Sequence, residues 1–261
     1  MSASAVRVLY CSNQPDLPEQ LDRLRARAAA VRNEPGCVEF DTFRDVEYPE
    51  NFAQLELWES PRAFDAHWRR AGAGGIFCAL EHLVAPHHRG RPESPRRDGT
   101  NGAEFYHHQL FAPAGTPPVF LAKDPAERIE SLRWPSRSGV RIVIQSSTDP
   151  AADASFHPYA AETRAQKGCL EFAFYRSLEF PENNLHLELW QGPPAVYDEH
   201  FYQRTLHRLY GIGLARPPSK AVERRYGVAG FEFYQHGFFT LAGEVWEPED
   251  PAERLATVRW T

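Results

Sequence analysis

Two hydrophobic periods alternate along the first half of this chain, and their order predicts the elements of a small α+β domain. Val6–Tyr10 is short and rich in β-branched residues, which indicates a buried strand. The apolar positions between Leu17 and Val31 follow a helical spacing. Period-two alternation at Cys37–Phe43 and at Phe52–Trp58 then predicts two consecutive strands.

A second helix and a last strand complete this first set of elements. Ser60 and Pro61 are typical of a helix start, and the predicted helix continues through Phe64 and His67. A Gly-rich break and a Pro- and Arg-rich loop precede the last predicted strand, Glu104–Phe111. The resulting order, β-α-β-β-α-β, predicts a ferredoxin-like fold of the α+β class.

The same order of sequence blocks occurs a second time in the chain. Five blocks recur in the same order: VRVLY returns as VRIVI, GCVEF as GCLEF, LELW unchanged, EFYHH as EFYQH, and DPAERIESLRW as DPAERLATVRW. Matched residue numbers differ by 134 at the first strands and by 132 at Trp58 and Trp190. Small loop insertions explain this drift, so we interpret the chain as two repeats, residues 1–134 and 135–261.

The second repeat carries the matching elements. Its predicted segments are Val140–Gln145, a helix at Phe156–Gln166, Cys169–Tyr175, Leu185–Trp190, a helix at Pro193–Tyr210, and Phe231–Phe239. The short DPAER segment after each last strand predicts a further helical turn, with a strand as the alternative.

One face of each predicted sheet is apolar and needs a cover. The alternation assigns ten residues to these faces: Val38, Phe40, Ala53, Leu55 and Leu57, and Leu170, Phe172, Leu185, Leu187 and Leu189. Because both helices lie on the opposite face, the apolar face requires a second sheet. We therefore expect the two antiparallel sheets to pack into one intramolecular α/β barrel. A homodimer is compatible with this fold but is not required to close the barrel.

Composition narrows the class of protein. The formal net charge of −6 argues against a nucleic-acid partner. The chain has no apolar run long enough for a membrane span and begins without the pattern of a secretion signal, so we expect a cytoplasmic protein with no membrane partner. The 4 cysteines form no CxxC motif, and we expect buried free thiols. Aromatic residues are 13% of the chain, which suits a pocket for a flat ligand, although filling a core is the commoner use.

The polar face of each predicted sheet carries carboxylates, imidazoles and large rings. Alternation places three such residues on the helix-covered face of the first repeat: Gln54, Glu56 and Trp58. The matched positions of the second repeat are His186, Glu188 and Trp190. We expect the neighbouring strands to add Glu39 and Glu171 to these faces. A flat phenolic ligand would stack on the rings while a His or Glu takes the phenol proton.

The second predicted helix of each repeat carries a histidine at matched positions, His67 and His200. A lone helical histidine is commonly a core or surface residue. Because this histidine recurs at matched positions, we weigh a catalytic role equally with a structural one. The candidate catalytic residues are His200, Glu188, His67 and Glu56, and each glutamate is equally suited to tethering helix backbone. The candidate binding residues are Trp190, His186, Tyr197, Phe201, Tyr202, Tyr234, His236, Trp58, Trp68, Tyr106 and His108, with a core role favoured for Trp58 and Trp190.

Metal binding is not expected from the histidine pairs. His107 and His108 are adjacent on a strand and point to opposite faces, so they cannot chelate one ion. Neither this pair nor His87 and His88 has carboxylate–histidine spacing nearby.

The two repeats are not equal. The matched pairs that differ are Trp68 and Phe201, His107 and Gln235, and Gln54 and His186. This divergence is consistent with one catalytic and one structural repeat. The aromatic and histidine residues of its second helix favour the second repeat as the catalytic one.

At the level of whole motifs, PGCVEF…PENFAQLELWESPRAFDAH and KGCLEF…PENNLHLELWQGPPAVYDEH each resemble the antibiotic biosynthesis monooxygenase (ABM) domain of the dimeric α/β-barrel superfamily. The tandem arrangement resembles the oxygenases that open the B ring of angucycline polyketides in jadomycin, gilvocarcin and kinamycin biosynthesis. This resemblance implies oxidative C–C cleavage of a polycyclic phenol or quinone. It also implies O2 and reduced flavin, FMNH2 or FADH2, which a separate flavin reductase supplies as a dissociable co-substrate.

Three other functions remain open on the sequence. A cofactor-independent, quinone-forming monooxygenase of the same family is the nearest alternative. A haem-degrading member is disfavoured, because the helix pattern needed for axial ligation is not clearly reproduced. A non-catalytic protein that binds polyketide intermediates is the alternative from a different class.

Overall fold

A computed structural model describes residues 5–13, 18–60, 62–64, 66–67, 70, 102–108, 111–114, 119–122, 139–191, 196, 200, 230–236, 239–242 and 245–248. The chain divides into two compact units. The first contains Met1–His108, Ser177–Glu179 and Gly237–Thr261, and the second contains Gln109–Arg176 and Phe180–His236. The repeat boundary at residues 134 and 135 stays a prediction.

The first half of the chain forms the predicted strands and first helix. Its elements are β1 (Ala5–Asn13), α1 (Pro18–Val31), β2 (Cys37–Asp45), β3 (Asn51–Trp58) and β4 (Gly102–His108). Residues 62–64, 66–67 and 70 are helical, as predicted for the start of the second helix. The predicted last strand is too long, because β4 ends at His108 and a separate hairpin follows, β5 (Phe111–Ala114) with β6 (Val119–Ala122).

The second half repeats this order. Its elements are β7 (Gly139–Ser147), a 3-10 turn (Pro150–Ser155), α2 (Phe156–Arg164), β8 (Cys169–Ser177), β9 (Asn183–Gln191) and β10 (Gly230–His236). A second hairpin pairs β11 (Phe239–Ala242) with β12 (Val245–Pro248). Residues 196 and 200 are the described part of the helix predicted at Pro193–Tyr210. Both DPAER segments lie outside the described residues.

Each unit is an α+β arrangement with an antiparallel sheet. The strands follow the order β2-β3-β1-β4 in the first unit and β8-β9-β7-β10 in the second. In the first unit, α1 and the later helical segment cover one sheet face, where Ala28 and Phe64 join a buried cluster with Val6, Phe40 and Trp58. The α+β prediction is confirmed at this level.

A β-bulge at the start of β2 corrects one part of the sequence prediction. The register shifts between Cys37 and Glu39, so that Glu39 pairs with Leu57 and Phe40 pairs with Glu56. An extra residue reverses the alternation beyond it. Phe40 therefore shares the helix-covered face with Glu56, and Glu39 lies on the apolar face, contrary to the prediction.

The second unit has the same bulge between Cys169 and Glu171. Phe172 pairs with Glu188 and lies on the helix-covered face, whereas Glu171 lies on the apolar face. Leu170, which was assigned to the apolar face, is 40% exposed. The local change of register is the physical reason for the wrong assignments of Leu170, Glu171 and Phe172.

The misassigned glutamates form buried ion pairs. Arg7 Nη1 lies 2.7 Å from Glu39 Oε2, and Arg141 Nη1 lies 2.7 Å from Glu171 Oε2. All four side chains are fully buried. Each unit therefore encloses one matched ion pair on its apolar face.

The tyrosines of the last strands, β4 and β10, also lie on a different sheet face from the one that was predicted. Tyr106 pairs with Arg7 across β4 and β1, and Tyr234 pairs with Arg141 across β10 and β7. Residues directly opposite in register share a face. Both tyrosines therefore lie on the face of the ion pairs, and each donates a hydrogen bond there to a glutamate two residues earlier on its strand.

The glycine of each Gly-Cys motif lets the histidine-bearing helix approach the sheet. Gly36 and Gly168 have φ angles of 80° and 86°, a conformation that favours glycine. A Cβ atom at Gly36 would lie 2.5 Å from the Cβ of Ala63, and one at Gly168 would lie 2.5 Å from Cγ1 of Val196. The recurrence of this motif thus has a packing cause that positions His67 and His200.

Within the described ranges, no helix is long and apolar enough to cross a bilayer.

Candidate active site

A buried glutamate on β3 organises the polar cluster of the first unit. Glu56 accepts a hydrogen bond from Trp58 Nε1 at 2.8 Å and another from Gln54 Nε2 at 2.6 Å. The three residues alternate along β3, so all three point to the helix-covered face. Both carboxylate oxygens of Glu56 are thereby engaged by fixed donors.

His67 is held beside this glutamate by the tryptophan and by a second carboxylate. Its ring stacks on Trp58 with a centroid distance of 4.5 Å and an interplanar angle of 26°. Its Nδ1 donates to Glu34 Oε2 at 3.0 Å, and Arg70 also binds that oxygen, at 2.5 Å. The Nε2 atom of His67 is buried and has no hydrogen-bond partner among the described residues. The carboxylate therefore fixes the tautomer that leaves Nε2 as an acceptor.

An arginine on α1 completes the first cluster. The guanidinium of Arg27 lies 5.7 Å from the ring centroid of Phe40. Burial lowers the pKa of Arg27, while the negative charges of Glu56 and Glu34 oppose that shift. Glu56 therefore lies in the field of a fixed cation.

The second unit places a matched glutamate, Glu188, on β9. It accepts a hydrogen bond from Trp190 Nε1 at 2.7 Å. Where the first unit has Gln54, the second has His186, whose Nε2 lies 3.2 Å from Glu188 Oε1. The side chain of His186 is enclosed by rings, with centroid distances of 4.3 Å to Phe172 and 4.2 Å to Phe174.

His200 occupies the position of His67 in this second cluster. Its ring lies 4.4 Å from that of Trp190, and its Nδ1 donates to Gln166 Oε1 at 2.8 Å. Its Nε2 lies 3.7 Å from Glu188 Oε2, just beyond hydrogen-bond distance. With the proton on Nδ1, the lone pair of Nε2 is directed toward the carboxylate side of the cluster.

The electrostatics of the second cluster favour the ionised form of Glu188. Burial alone would raise the pKa of Glu188, but the hydrogen bond from His186, the positive charge that each histidine carries when protonated and the hydrogen bond from Trp190 together hold that pKa below its ordinary value. Burial lowers the pKa of His200, the Glu188 charge opposes this, and His186 adds to the lowering. His200 is therefore a neutral base at neutral pH.

Tyr159 on α2 stands where the first unit has Arg27. Its ring packs edge-on against Phe172 at a centroid distance of 5.2 Å, and its buried hydroxyl interacts with that of Thr163 and has no other hydrogen-bond partner among the described residues. Burial raises the pKa of Tyr159, and the negative charge of Glu188 raises it further. The phenol therefore stays protonated beside an ionised carboxylate.

The two clusters differ in how the central charge is balanced. In the first, an arginine faces the glutamate and an amide caps it. In the second, the described groups that hold Glu188 are His186, His200 and Trp190, none of which is a fixed cation. A proton that arrives at His200 would lie beside the carboxylate of Glu188, whose negative charge opposes the effect of burial on the pKa of this histidine.

Most of the predicted catalytic residues are brought together, and some binding residues are not. Each unit joins its glutamate, tryptophan and histidine, and the second unit adds His186. Tyr106 and Tyr234 lie on the opposite sheet face, which corrects their assignment to the same cavity. The backbones of His108 and His236 pair in register with Ala5 and Gly139, and their side chains lie outside the described part of the structure. Trp68, Tyr197, Phe201 and Tyr202 lie outside the described residues.

Four residues of the clusters were missed by sequence reasoning: Arg27, Glu34, Tyr159 and Gln166. Each pair lies at the same numerical separation, 132, as Trp58 and Trp190. A position-by-position comparison of the first helices and of the turns that follow them would have shown the two exchanges. No group of three or more His, Cys, Asp or Glu side chains suited to a metal occurs within the described part of the chain.

The geometry defines a class of protein: an α+β unit that carries a buried histidine–glutamate cluster on the helix-covered face of its sheet. Residues 15–73 match the family model described as antibiotic biosynthesis monooxygenase. This match supports an ABM-like domain in the first half of the chain. No curated protein is similar enough to count as a match.

Several solved structures resemble the chain at low identity. An aldoxime dehydratase is 13% identical, with 89% of this chain and 81% of that protein covered and a TM-score of 0.44. An anthrone oxidase-like protein is 11% identical, with 90% and 91% covered and a TM-score of 0.27. A heme-degrading protein of Mycobacterium tuberculosis, with two hemes bound in its active site, is 23% identical, with 42% and 99% covered and a TM-score of 0.27. Similarities at this level carry no conclusion about substrate or cofactor.

Proposed function

We propose that this protein is an oxygenase of aromatic polyketide biosynthesis that opens a ring of a polycyclic, angucycline-type phenol or quinone by oxidative C–C cleavage. O2 and reduced flavin are the proposed co-substrates, and a separate flavin reductase supplies the flavin as FMNH2 or FADH2. The proposed site is the cluster of the second unit. The observation that carries the proposal is the buried pair of His200 and Glu188, whose Nε2 and Oε2 atoms lie 3.7 Å apart.

The role of this cluster is proton transfer from the substrate. A phenol hydroxyl that donates to His200 Nε2 can pass its proton to that atom. The imidazolium that forms lies 3.7 Å from Glu188 Oε2, and that carboxylate stabilises it. Loss of the proton makes the phenolate ring electron-rich at the positions next to the oxygen, which favours attack by an oxygen species.

His186 and Gln166 orient this reaction. Gln166 holds the Nδ1 proton of His200 and so keeps the Nε2 lone pair available. His186 holds the other oxygen of Glu188, so the carboxylate cannot rotate away. Burial of His186, His200 and Glu188 excludes water, which would otherwise weaken each electrostatic contact.

The flat rings around the cluster fit a planar co-substrate as well as a planar substrate. Phe172, Phe174 and Trp190 border the histidines, and they would contact an isoalloxazine ring or a substrate ring. Putting one oxygen atom into the substrate and reducing the other to water takes two electrons and two protons, and reduced flavin would supply the electrons when bound. The chain's own residues bind, orient and deprotonate the substrate.

We further propose that both units are copies of one ABM domain and that their sheets close an α/β barrel within the chain. The matched strand orders, matched bulges and matched ion pairs support this duplication. Leu55 and Leu187, which lie on the faces away from the helices, are fully buried, as a barrel interior requires. A homodimer is not needed for this closure.

The test of the oxygenase proposal is a single turnover under controlled oxygen. The protein, chemically reduced FMN and a polycyclic phenol are mixed without air, and 18O2 is then admitted. We expect a ring-opened product that carries one labelled oxygen atom. Absence of turnover with any polycyclic phenol would contradict the proposal.

Two control reactions separate the remaining alternatives. Unchanged product formation without flavin and reductase would favour the cofactor-independent monooxygenase. Tight binding without turnover, with no effect of His200→Gln in any redox assay, would favour the non-catalytic binding protein.

A further inference from the structure

Two buried hydroxyl groups lie one turn apart on α2, on the side of the helix that faces the second cluster. Tyr159 is 6% exposed and Thr163 is fully buried. The Tyr159 and Thr163 hydroxyls interact with each other, and neither has another hydrogen-bond partner among the described residues. Buried polar groups are nearly always hydrogen-bonded, so an orphaned pair requires an explanation.

The ring of Phe172 connects these hydroxyls to the proposed proton acceptor. Tyr159 packs edge-on against Phe172, and the same ring lies 4.3 Å from His186 and 5.8 Å from His200. Three polar side chains thus surround one ring. The negative charge of Glu188 reaches the Tyr159 hydroxyl as well as both imidazoles.

The donors and acceptors around Phe172 are complementary. His200 presents a lone pair, and the two hydroxyls on α2, of which one can donate to the other, leave one hydrogen atom without an acceptor among the described residues. Glu188 is already engaged by His186 and Trp190. The site therefore matches a flat molecule that carries one hydroxyl group and one carbonyl oxygen on the same ring system.

We propose that Tyr159 and Thr163 form the donor side of a binding site for the carbonyl oxygen of a polycyclic hydroxyquinone, whose hydroxyl group lies at His200. This inference rests on the proposed function, because it assigns the orientation of the same substrate. The first unit lacks the arrangement, since Arg27 and Val31 occupy the matched positions. These two matched positions of the first unit therefore carry no hydroxyl group.

The experiment compares two probes that differ in the carbonyl groups. The full chain is titrated with 2-hydroxyanthraquinone and with 2-hydroxyanthracene, and dissociation constants are measured by quenching of tryptophan fluorescence. Removing one donor to a neutral oxygen weakens binding by about 3- to 10-fold. We expect Tyr159→Phe to weaken the binding of 2-hydroxyanthraquinone by this factor and to change the affinity for 2-hydroxyanthracene by less than about twofold. Thr163→Val has the same direction and a smaller effect.

A matched variant controls for the loss of a buried hydroxyl. Tyr175 is buried, and its hydroxyl donates to Glu171 Oε1 at 3.3 Å on the other sheet face. Tyr175→Phe is expected to leave the affinity for both probes unchanged. His200→Gln is expected to weaken both probes, because both carry the hydroxyl group.

The outcomes separate this inference from the proposed function. Equal weakening of both probes by Tyr159→Phe would show a purely structural role, and no weakening of either would show that ordered water alone occupies the hydroxyls. Each result overturns the donor site and leaves the oxygenase standing. Failure of the unaltered protein to bind either probe overturns the donor site and the proposed substrate class together. Quinone discrimination without turnover supports the donor site and contradicts the oxygenase.

Discussion

In the first unit an arginine on α1 lies in the field of the strand glutamate, whereas in the second unit a tyrosine on α2 lies in the field of the matched glutamate. The frame around the two is the same. The tryptophan–histidine distances are 4.5 and 4.4 Å, and the tryptophan–glutamate hydrogen bonds are 2.8 and 2.7 Å. The groups around the glutamate differ at two matched positions, since Arg27 is exchanged for Tyr159 and Gln54 for His186.

A further exchange affects the residue that accepts the hydrogen bond from Nδ1 of each histidine. Glu34 holds the Nδ1 proton of His67, and Arg70 shares the same carboxylate oxygen. In the second unit a neutral amide, Gln166, holds the Nδ1 proton of His200. The carboxylate strengthens a base, whereas the amide only orients it. The two units therefore share one scaffold but surround the glutamate and the histidine with different charges.

The largest expected effect comes from removing each histidine in turn. His200→Gln is expected to lower the rate of product formation by about 10²- to 10⁴-fold, the usual contribution of a general base. His67→Gln is expected to change it by less than about threefold. The measurement is single-turnover product formation by mass spectrometry, with thermal unfolding as the control for folding. Equal losses in both variants would break the proposed division between the units.

Removing the arginine of each buried ion pair tests whether the scaffolds are equivalent. Arg141→Met and Arg7→Met each leave an unpaired carboxylate in the interior, which costs about 3–5 kcal/mol of unfolding free energy. Urea unfolding of the full chain measures this loss. A large cost for one variant and none for the other would show that the matched pairs do not play matched structural roles.

Exchanging the group behind His200 is expected to have an intermediate effect on the pH dependence of the reaction. Gln166→Glu gives this histidine a carboxylate partner, which favours the protonated form and raises its pKa. The acidic limb of the single-turnover rate is then expected to move up by about one pH unit. Glu34→Gln, the reverse exchange in the first unit, should leave the profile in place. A profile that responds to Glu34→Gln instead would assign the reaction to the first unit.

The smallest expected effect is on the acid stability of the fold. The pKa values of Glu188 and His200 are both lowered in the folded protein, so the unfolded chain binds more protons as the pH falls. Their stabilising contribution is complete above the unfolded histidine value of 6.5 and is lost progressively below it, first through His200 and then through Glu188. Urea unfolding between pH 8 and 4 measures the slope. The slope should become shallower in His200→Gln, and an unchanged slope would contradict the assigned direction for His200.

Regular alternation predicted β3 and β9 correctly, and with them the shared face of glutamate and tryptophan. It failed on β2 and β8, because the bulge after the Gly-Cys motif reverses every later side chain of those strands. A bulge leaves no mark in hydrophobic periodicity. The facing of Tyr106 and Tyr234 was also out of reach, since it depends on how β4 and β10 align with their neighbours.

The position of the candidate site was predictable from the recurrence of His67 and His200, but its chemistry was not. The deciding residues, Arg27 and Tyr159, lie on the first helices, far in sequence from the strands they face. Their spacing is ordinary for a helix, and only the comparison of matched positions reveals the exchange. Burial then determines the direction of each pKa shift, and burial is a property of the fold.

The most direct test of the division between the two units is a crystal structure with 2-hydroxyanthraquinone bound. We predict one molecule in the second unit, with its hydroxyl group at His200 Nε2 and a carbonyl oxygen at Tyr159 Oη. A ligand beside His67 in the first unit, with the second cluster empty, would contradict the account.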